Sequence, residues 1–376
     1  MKNNEPDYIS WDRQGTIVEP IAIDKFDIDK YHDYELSLRE KCYSFWKASR
    51  GVAVYRRFRV PQVFSYSCQN IKESLELQLG ALEKSMSYKS DIPNFLEPWY
   101  GIGTIASSFG IDYIWNEGQA PAIKPPFNSI KEVLEYEYLP VEKTKIGKHT
   151  LDMIEFFLEK TRGKIPISFT DTQSPLNIAS YLIPMDKLFL EMYDNPEEYQ
   201  KLLALITDLL INFSLKQQEI IGEALVYPGH GFASSTEFQG IGFSDDNSMM
   251  ISNTFFEKLE IPFRERIGSF FGGCAFHSCG NWSGKIPAIK KIKNLKMVDA
   301  AFSQEIDPDP NEAEPFVSGF AQTGIVVNAR MAGAQSTIID MVRRLWNPEM
   351  KLIVVTYCQD AVEQEKVYNL IHQICS

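Results

Sequence analysis

The sequence predicts an α/β chain folded as a (β/α)8 barrel with an N-terminal extension. Short apolar runs rich in β-branched and aromatic residues alternate with longer stretches of helical period, eight such runs can be placed along the 376 residues, and no linker divides the chain into two independent units. The runs are 52–55, 112–115, 165–170, 224–227, 273–277, 297–302, 324–328 and 352–356. A doubly wound sheet is the alternative arrangement of the same pattern. The extension and first barrel elements are expected over 1–92, and the barrel proper over 93–376.

The elements follow in order. Residues 1–30 are charged and irregular, which suits an arm over the barrel or a subunit contact, with a homodimer as one expected assembly. The stretch 121–126 (Pro-Ala-Ile-Lys-Pro-Pro) reads as a connection. Asn195-Pro196-Glu197-Glu198 supplies a cap, a proline for the first helical position and acidic residues for the positive helix end. From there Leu202, Leu203, Ile206, Leu209, Leu210 and Phe213 recur at helical spacing and form a core-facing stripe. Ser252 is expected to cap a helix over 255–260 that Pro262 bends or interrupts.

Composition narrows the function. A formal charge of −12 argues against a nucleic-acid or anionic-membrane partner. No run of about eighteen apolar residues is present, and the first twenty residues lack the apolar core of a secretion signal. Six cysteines are too few for a disulfide scaffold in a chain of this length. They fit a reducing, cytoplasmic setting, where clustered cysteines point to metal or catalysis.

The strongest chemical signal is Gly272-Gly273-Cys274-Ala275-Phe276-His277-Ser278-Cys279-Gly280. Residues two apart on a strand face one side, so the His277 imidazole and Cys279 thiolate can converge on one ion, and Gly280 lets the chain turn away. The run 351–357 ends at Cys358 in the matching position. In a parallel barrel the C-terminal strand ends gather on one face, so His277, Cys279 and Cys358 form a candidate zinc site with one position open. The competing reading is a core histidine with buried reduced cysteines. Glu260 is a candidate fourth ligand, or equally a solvated helix glutamate, and Cys274 should face the opposite side as core.

Other strand ends carry His230, in Tyr227-Pro228-Gly229-His230-Gly231, followed by Asp245 and Asp246, with Asp171 after 165–170 and Glu305 after 297–302. Asp171, His230 and Asp246 are the candidate catalytic residues of a substrate cavity, where acidic groups hold an amine or relay a proton. Asp245 and Asp246 serve equally well as a helix cap. Dinucleotide, phosphate-loop, serine-hydrolase and His-Glu-x-x-His motifs are absent.

Several segments, taken in order, resemble the uroporphyrinogen decarboxylase superfamily: Thr170-Asp171-Thr172-Gln173-Ser174-Pro175, the stretch around Met192 to Glu197, Ser244-Asp245-Asp246, Ile251-Ser252, Ile261-Pro262-Phe263 and His277-Ser278-Cys279-Gly280. The resemblance covers residues 93–376. The arginine-bearing N-terminal segment of the decarboxylase is not found; the nearest basic cluster is Arg56-Arg57-Phe58-Arg59. In His-x-Cys and a cysteine about eighty residues later, the chain is similar to the zinc-dependent methyltransferases serving corrinoid proteins and coenzyme M. That resemblance implies zinc on His277, Cys279 and Cys358, with Glu260 at the position of a further ligand in some members. It implies a small thiol substrate and a methylcobamide supplied by a separate corrinoid protein. Gln359-Asp360-Ala361 departs from the small-residue run of the coenzyme M enzymes. A uroporphyrinogen-type decarboxylase and a non-catalytic binding protein on the same barrel are the alternatives.

Overall fold

The computed structural model describes residues 14–376; residues 1–13, and with them the first part of the surface arm expected over 1–30, lie outside the described residues. Six strands form one parallel sheet in the order β1-β6-β5-β4-β3-β2. They are β1 (Gly51–Arg56), β2 (Ile241–Ser244), β3 (Cys274–His277), β4 (Leu295–Ala301), β5 (Val326–Met331) and β6 (Lys351–Thr356). The wall closes through single parallel bridges. The amide of Asp91 donates to Val54 of β1 at 2.8 Å, Leu96 pairs with Ile167, Ile167 with Leu225, and Gln173 with Ser244 of β2. The result is the (β/α)8 barrel that the alternating pattern predicts.

Two strand expectations need correction. Residues 112–115 are not in the wall: Ile114 pairs antiparallel with Ala122 in an excursion, and its side chain is 48% exposed. A barrel strand is covered on both faces, and this segment cannot be. The second wall position falls to the stretch around Leu96, whose flanking Pro93 and Pro98 conceal it from a periodicity reading. The run 224–227 shares its place with β2, which begins at Ile241 after the intervening segment 228–240.

Alternation decides what faces inward. Ala53, Tyr55, Ala275, Met297, Val326, Ile353, Val355 and Tyr357 fall in one apolar cluster, the barrel interior. Their neighbours Val54, Cys274, Phe276, Val298, Val327, Leu352 and Val354 pack into the larger cluster shared with the helices. By the same parity His277, Asp299, Asn328 and Arg330 are inward residues.

The helices include α1 (Ile28–Lys47), α2 (Ile71–Ser85), α3 (Lys145–Thr161), α4 (Pro175–Leu182), α5 (Met185–Asp194), α6 (Pro196–Ile221), α7 (Ile261–Phe270), α8 (Ala313–Phe320), α9 (Gln335–Leu345) and α10 (Ala361–Ile374). The expected stripe of α6 is buried along its length. Pro262 does not stop its helix. A π-helical turn, Phe256–Glu260, precedes α7 and leaves the proline in the first turn, where its missing N–H is harmless. Among the described residues no helix is long and apolar enough to cross a membrane.

The extension has a defined place. Phe45 of α1 joins the interior cluster and Trp46 stacks on Phe238 with ring centroids 4.7 Å apart. Lys351, at the start of β6, donates to the Trp46 carbonyl at 2.7 Å, and its ammonium lies 5.0 Å from the indole. The end of α1 therefore closes the N-terminal end of the barrel.

Asp91 ties α1, β1 and α10 together. It accepts from the Val54 amide at 2.9 Å and the Tyr368 hydroxyl at 2.6 Å, and lies 2.8 Å from His372 Nε2 and 3.3 Å from Lys41 Nζ. Burial opposes its charge, but His372 and Tyr368 outweigh burial and hold the carboxyl below its ordinary value. A depressed carboxyl stabilises the fold above its unfolded pKa, near 4, and that contribution is lost as pH falls through the lower folded value. Asp91→Asn is expected to cost about 1–3 kcal/mol at pH 7. Thermal melts should show the gap to the parent narrowing below about pH 4; a gap that persists unchanged would contradict the account.

Candidate metal centre and substrate cavity

The C-terminal strand ends open on a cavity of about 640 Å³, lined in part by His277, Asp299, Arg330, His230, Asp171 and Arg57. This is the face on which parallel barrels carry chemistry.

His277 ends β3 facing inward. Its Nδ1 lies 2.6 Å from Asp299 Oδ2 and its Nε2 lies 3.7 Å from the Cys279 sulfur. The chain then leaves the strand through Gly280, whose φ of +71° suits glycine. Here the Cys279 amide donates to Asp246 Oδ1 at 2.7 Å and the Gly280 amide to Asp307 at 2.8 Å. One donor atom each from Asp246, His277 and Cys279 lies within 4.8 Å of the others. Burial alone would lower the His277 pKa, but the Asp299 carboxylate and the Cys279 sulfur outweigh it and push it up to about 10.

Asp299 belongs to a chain across three strands. It also accepts from Arg330 Nε at 2.9 Å and from the Asn328 amide nitrogen, both on β5. Neither Asp299 nor its β5 partners were singled out from the sequence. The available signal was a carboxylate inside a seven-residue strand that is otherwise apolar but for Lys296, a buried charge that demands partners.

Asp246 was expected on the catalytic list and not among the ligands. Its neighbour explains the change. Asp245 is fully buried: its amide donates to the His277 carbonyl at 2.8 Å, and its carboxylate accepts from Ser174 at 2.7 Å and Arg264 Nε at 2.8 Å. With Asp245 pinned inward, the next side chain is carried out beside Cys279.

Two expected ligands lie elsewhere. Cys358 comes one residue after the inward Tyr357, so alternation turns its thiol to the helix layer, where it joins the outer core cluster. Burial pushes that thiol up to about 11, and the Cys358 carbonyl accepts from Arg56 Nε at 2.6 Å. It is not in the convergent group. Glu260 is neither a ligand there nor solvated. It is fully buried with Arg264 Nη1 at 2.9 Å and the Tyr199 hydroxyl. Burial, opposed by Arg264, pushes its carboxyl up to about 7.

A second group shares the cavity. His230 Nδ1 lies 2.6 Å from Glu97 Oε2, and its Nε2 lies 3.3 Å from Asp171 Oδ2. Trp99 Nε1 donates to Asp171 at 3.0 Å and Gln173 donates to it at 2.6 Å. Arg57 Nη2 lies 3.4 Å from Glu97 Oε1. Burial opposes the Glu97 charge, but Arg57 and His230 hold its pKa down to about 2. Sequence reasoning named His230 and Asp171 and missed Glu97, which sits beside Pro98 in the concealed wall segment. Glu305 lies over Gly333 and belongs to neither group.

Comparison with known proteins adds the family. The family model described as Uroporphyrinogen decarboxylase (URO-D) matches residues 42–355. No curated protein sequence matches the chain. Among solved structures the fold is similar to that of a methyltransferase from Methanosarcina mazei, at 13% identity and a TM-score of 0.57, covering 89% of this chain and 98% of that one. At that identity the likeness speaks for the fold.

Arg264→Met should leave Asp245 and Glu260 buried without a counter-charge and cost about 3–5 kcal/mol. Glu260→Gln should cost clearly less at pH 7, because the carboxyl it replaces is raised to about 7 and the amide keeps hydrogen-bonding capacity. Urea unfolding of both variants checks this; equal losses would show that Glu260, not Asp245, is the essential partner of Arg264.

Proposed function

Because the chain belongs to the uroporphyrinogen decarboxylase family, and because a carboxylate, an imidazole and a thiol converge at its barrel mouth, we propose that it is a zinc-dependent methyltransferase. It moves a methyl group from a methylated corrinoid protein to a small thiol. The convergence of Asp246, His277 and Cys279 is the observation that carries this reading.

The donor set fits zinc. Imidazole, thiolate and carboxylate are its usual ligands, and three of them leave a fourth position for substrate. Zinc held there would lower the pKa of an incoming thiol and present it as the thiolate at neutral pH. The chain's own residues prepare that position. Asp299 takes the Nδ1 side of His277 and leaves Nε2 for the ion, the outer-shell support common to histidine ligands. Asp246 also receives the Cys279 amide, which holds the loop in register with the strand end. Arg330, braced on Asp299, forms part of the wall beside His277. The cavity has room for a small thiol, and the methyl donor reaches the mouth on its partner.

A second reading, decarboxylation of a uroporphyrinogen-like tetrapyrrole, draws support from Arg57, Arg59, Arg330 and Asp171 in the cavity lining. Incubation with uroporphyrinogen and analysis for lost carboxylates separates the two.

Metal analysis on protein purified without added zinc should find about one zinc per chain, the number a single three-ligand site holds. Cys279→Ser and His277→Ala should lose it, while Cys358→Ser and Glu260→Gln should keep it. Parent protein free of zinc, or Cys279→Ser at full occupancy, would sink the proposal. Loss in Cys358→Ser would instead put a second thiolate in the ligand set.

A further inference from the structure

We propose that Asp307 and Asn311, on the segment that follows β4, are the positioning residues that hold the Cys279 thiol in place beside His277. That Cys279 takes a metal ion rests on the reading above; how its loop is held does not.

β3 stops at His277, and residues 278–282 follow in no regular element. Their backbone amides and carbonyls still need partners. The far end of this loop is fixed by Trp282, a buried residue whose ring centroid lies 5.3 Å from that of Phe276 and 4.6 Å from that of Phe316. Between the two fixed points Cys279 is exposed.

Side chains from both flanking strand ends supply the partners. From the β2 side, Asp246 Oδ1 accepts from the Cys279 amide at 2.7 Å. From the β4 side, Asp307 Oδ2 accepts from the Gly280 amide at 2.8 Å. Asn311 Oδ1 accepts from the Trp282 amide at 2.9 Å, and Asn311 Nδ2 donates to the Gly280 carbonyl at 3.0 Å. Asp246 is one of the convergent donors and Asp307 is not, so Asp307 acts on the loop and not on the ion.

The holder is itself fixed. The run Asp307-Pro308-Asp309-Pro310-Asn311 sets a proline on either side of Asp309, and each ring locks its own φ. The Asp307 amide donates to the Ser303 carbonyl at 3.1 Å, and Asp307 Oδ1 accepts from the Asp309 amide at 3.0 Å. Asn311 is buried, and its amide donates at 2.9 Å to the carbonyl of Ala301, the last residue of β4. β4 also carries Asp299, the partner of His277. One strand and the segment that follows it therefore position both the imidazole and the thiol. Ion binding to a loose thiolate carries the entropy cost of ordering its loop, and a loop fixed beforehand does not.

Zinc affinity, measured by competition with a chromophoric chelator, gives the first readout. Asp307→Ala should weaken zinc at least about 10-fold, with a melting temperature near the parent's because Asp307 is only half-buried. Asp307→Asn keeps an acceptor oxygen and should restore most of the affinity. Asp309→Ala removes a nearby charge but leaves the Gly280 bond, and should bind zinc as the parent does. Asp307→Ala at parent affinity, or an equal loss in Asp309→Ala, overturns the proposal. Hydrogen exchange on metal-free protein, followed by mass spectrometry over 278–283, gives the second. That segment should be protected in the parent and exchange several-fold faster in Asp307→Ala and Asn311→Ala. A segment exchanging at the unstructured rate in the parent overturns the proposal without any variant. If the parent takes up no zinc, the metal reading fails, while exchange over 278–283 still decides whether Asp307 and Asn311 hold the Cys279 loop.

Discussion

One carboxylate organises the mouth of this barrel. Asp299, inward and buried on β4, takes His277 Nδ1 from one neighbouring strand and Asn328 and Arg330 from the other. An isolated buried carboxylate costs several kcal/mol. Here Arg330, His277 and Asn328 more than offset burial, and the Asp299 pKa lies below its ordinary value. The same bonds fix the imidazole plane, aim Nε2 at Cys279 and brace a guanidinium against the cavity wall. The candidate metal centre is thus one end of a hydrogen-bonded layer spanning three strands, and its geometry is set by strand register.

How much of this was legible in the sequence follows from strand periodicity. His277 and Cys279 sit two apart across the end of β3, and period two alone brings them together. The same rule, applied to Tyr357 and Cys358, turns the second cysteine outward; the inward face of β6 was readable from Ile353 and Val355 once the interior of β1 and β3 was known. The wall segment around Leu96 was illegible because prolines bracket it and it pairs through single bridges. The excursion over 112–122 mimicked a strand because it pairs with itself. Glu260 and Asp246 needed three-dimensional information. Which of two adjacent aspartates turns inward depends on Arg264, nineteen residues away from Asp245.

Charge is partitioned between surface and cavity. The chain carries −12 overall, yet Arg57, Arg59 and Arg330 all line the cavity. Long-range repulsion of anions by the acidic exterior is screened within about 8 Å at physiological salt, whereas the buried pairs Arg57–Glu97 and Arg330–Asp299 are screened far less. The buried carboxylates Glu97 and Asp299 hold Arg57 and Arg330 in place and leave the wall polar.

The plug at the other end of the barrel has a kinetic consequence. Phe45 and Trp46, sealed by Lys351, close the N-terminal end of the barrel, so a small molecule reaches His277 and His230 through the strand-end mouth. The corrinoid protein of the proposed reaction would cover the same opening. Under the proposed methyl transfer the two would have to arrive in sequence, the small reactant first, and excess of the large partner would slow turnover by occupying the doorway before its co-reactant has entered.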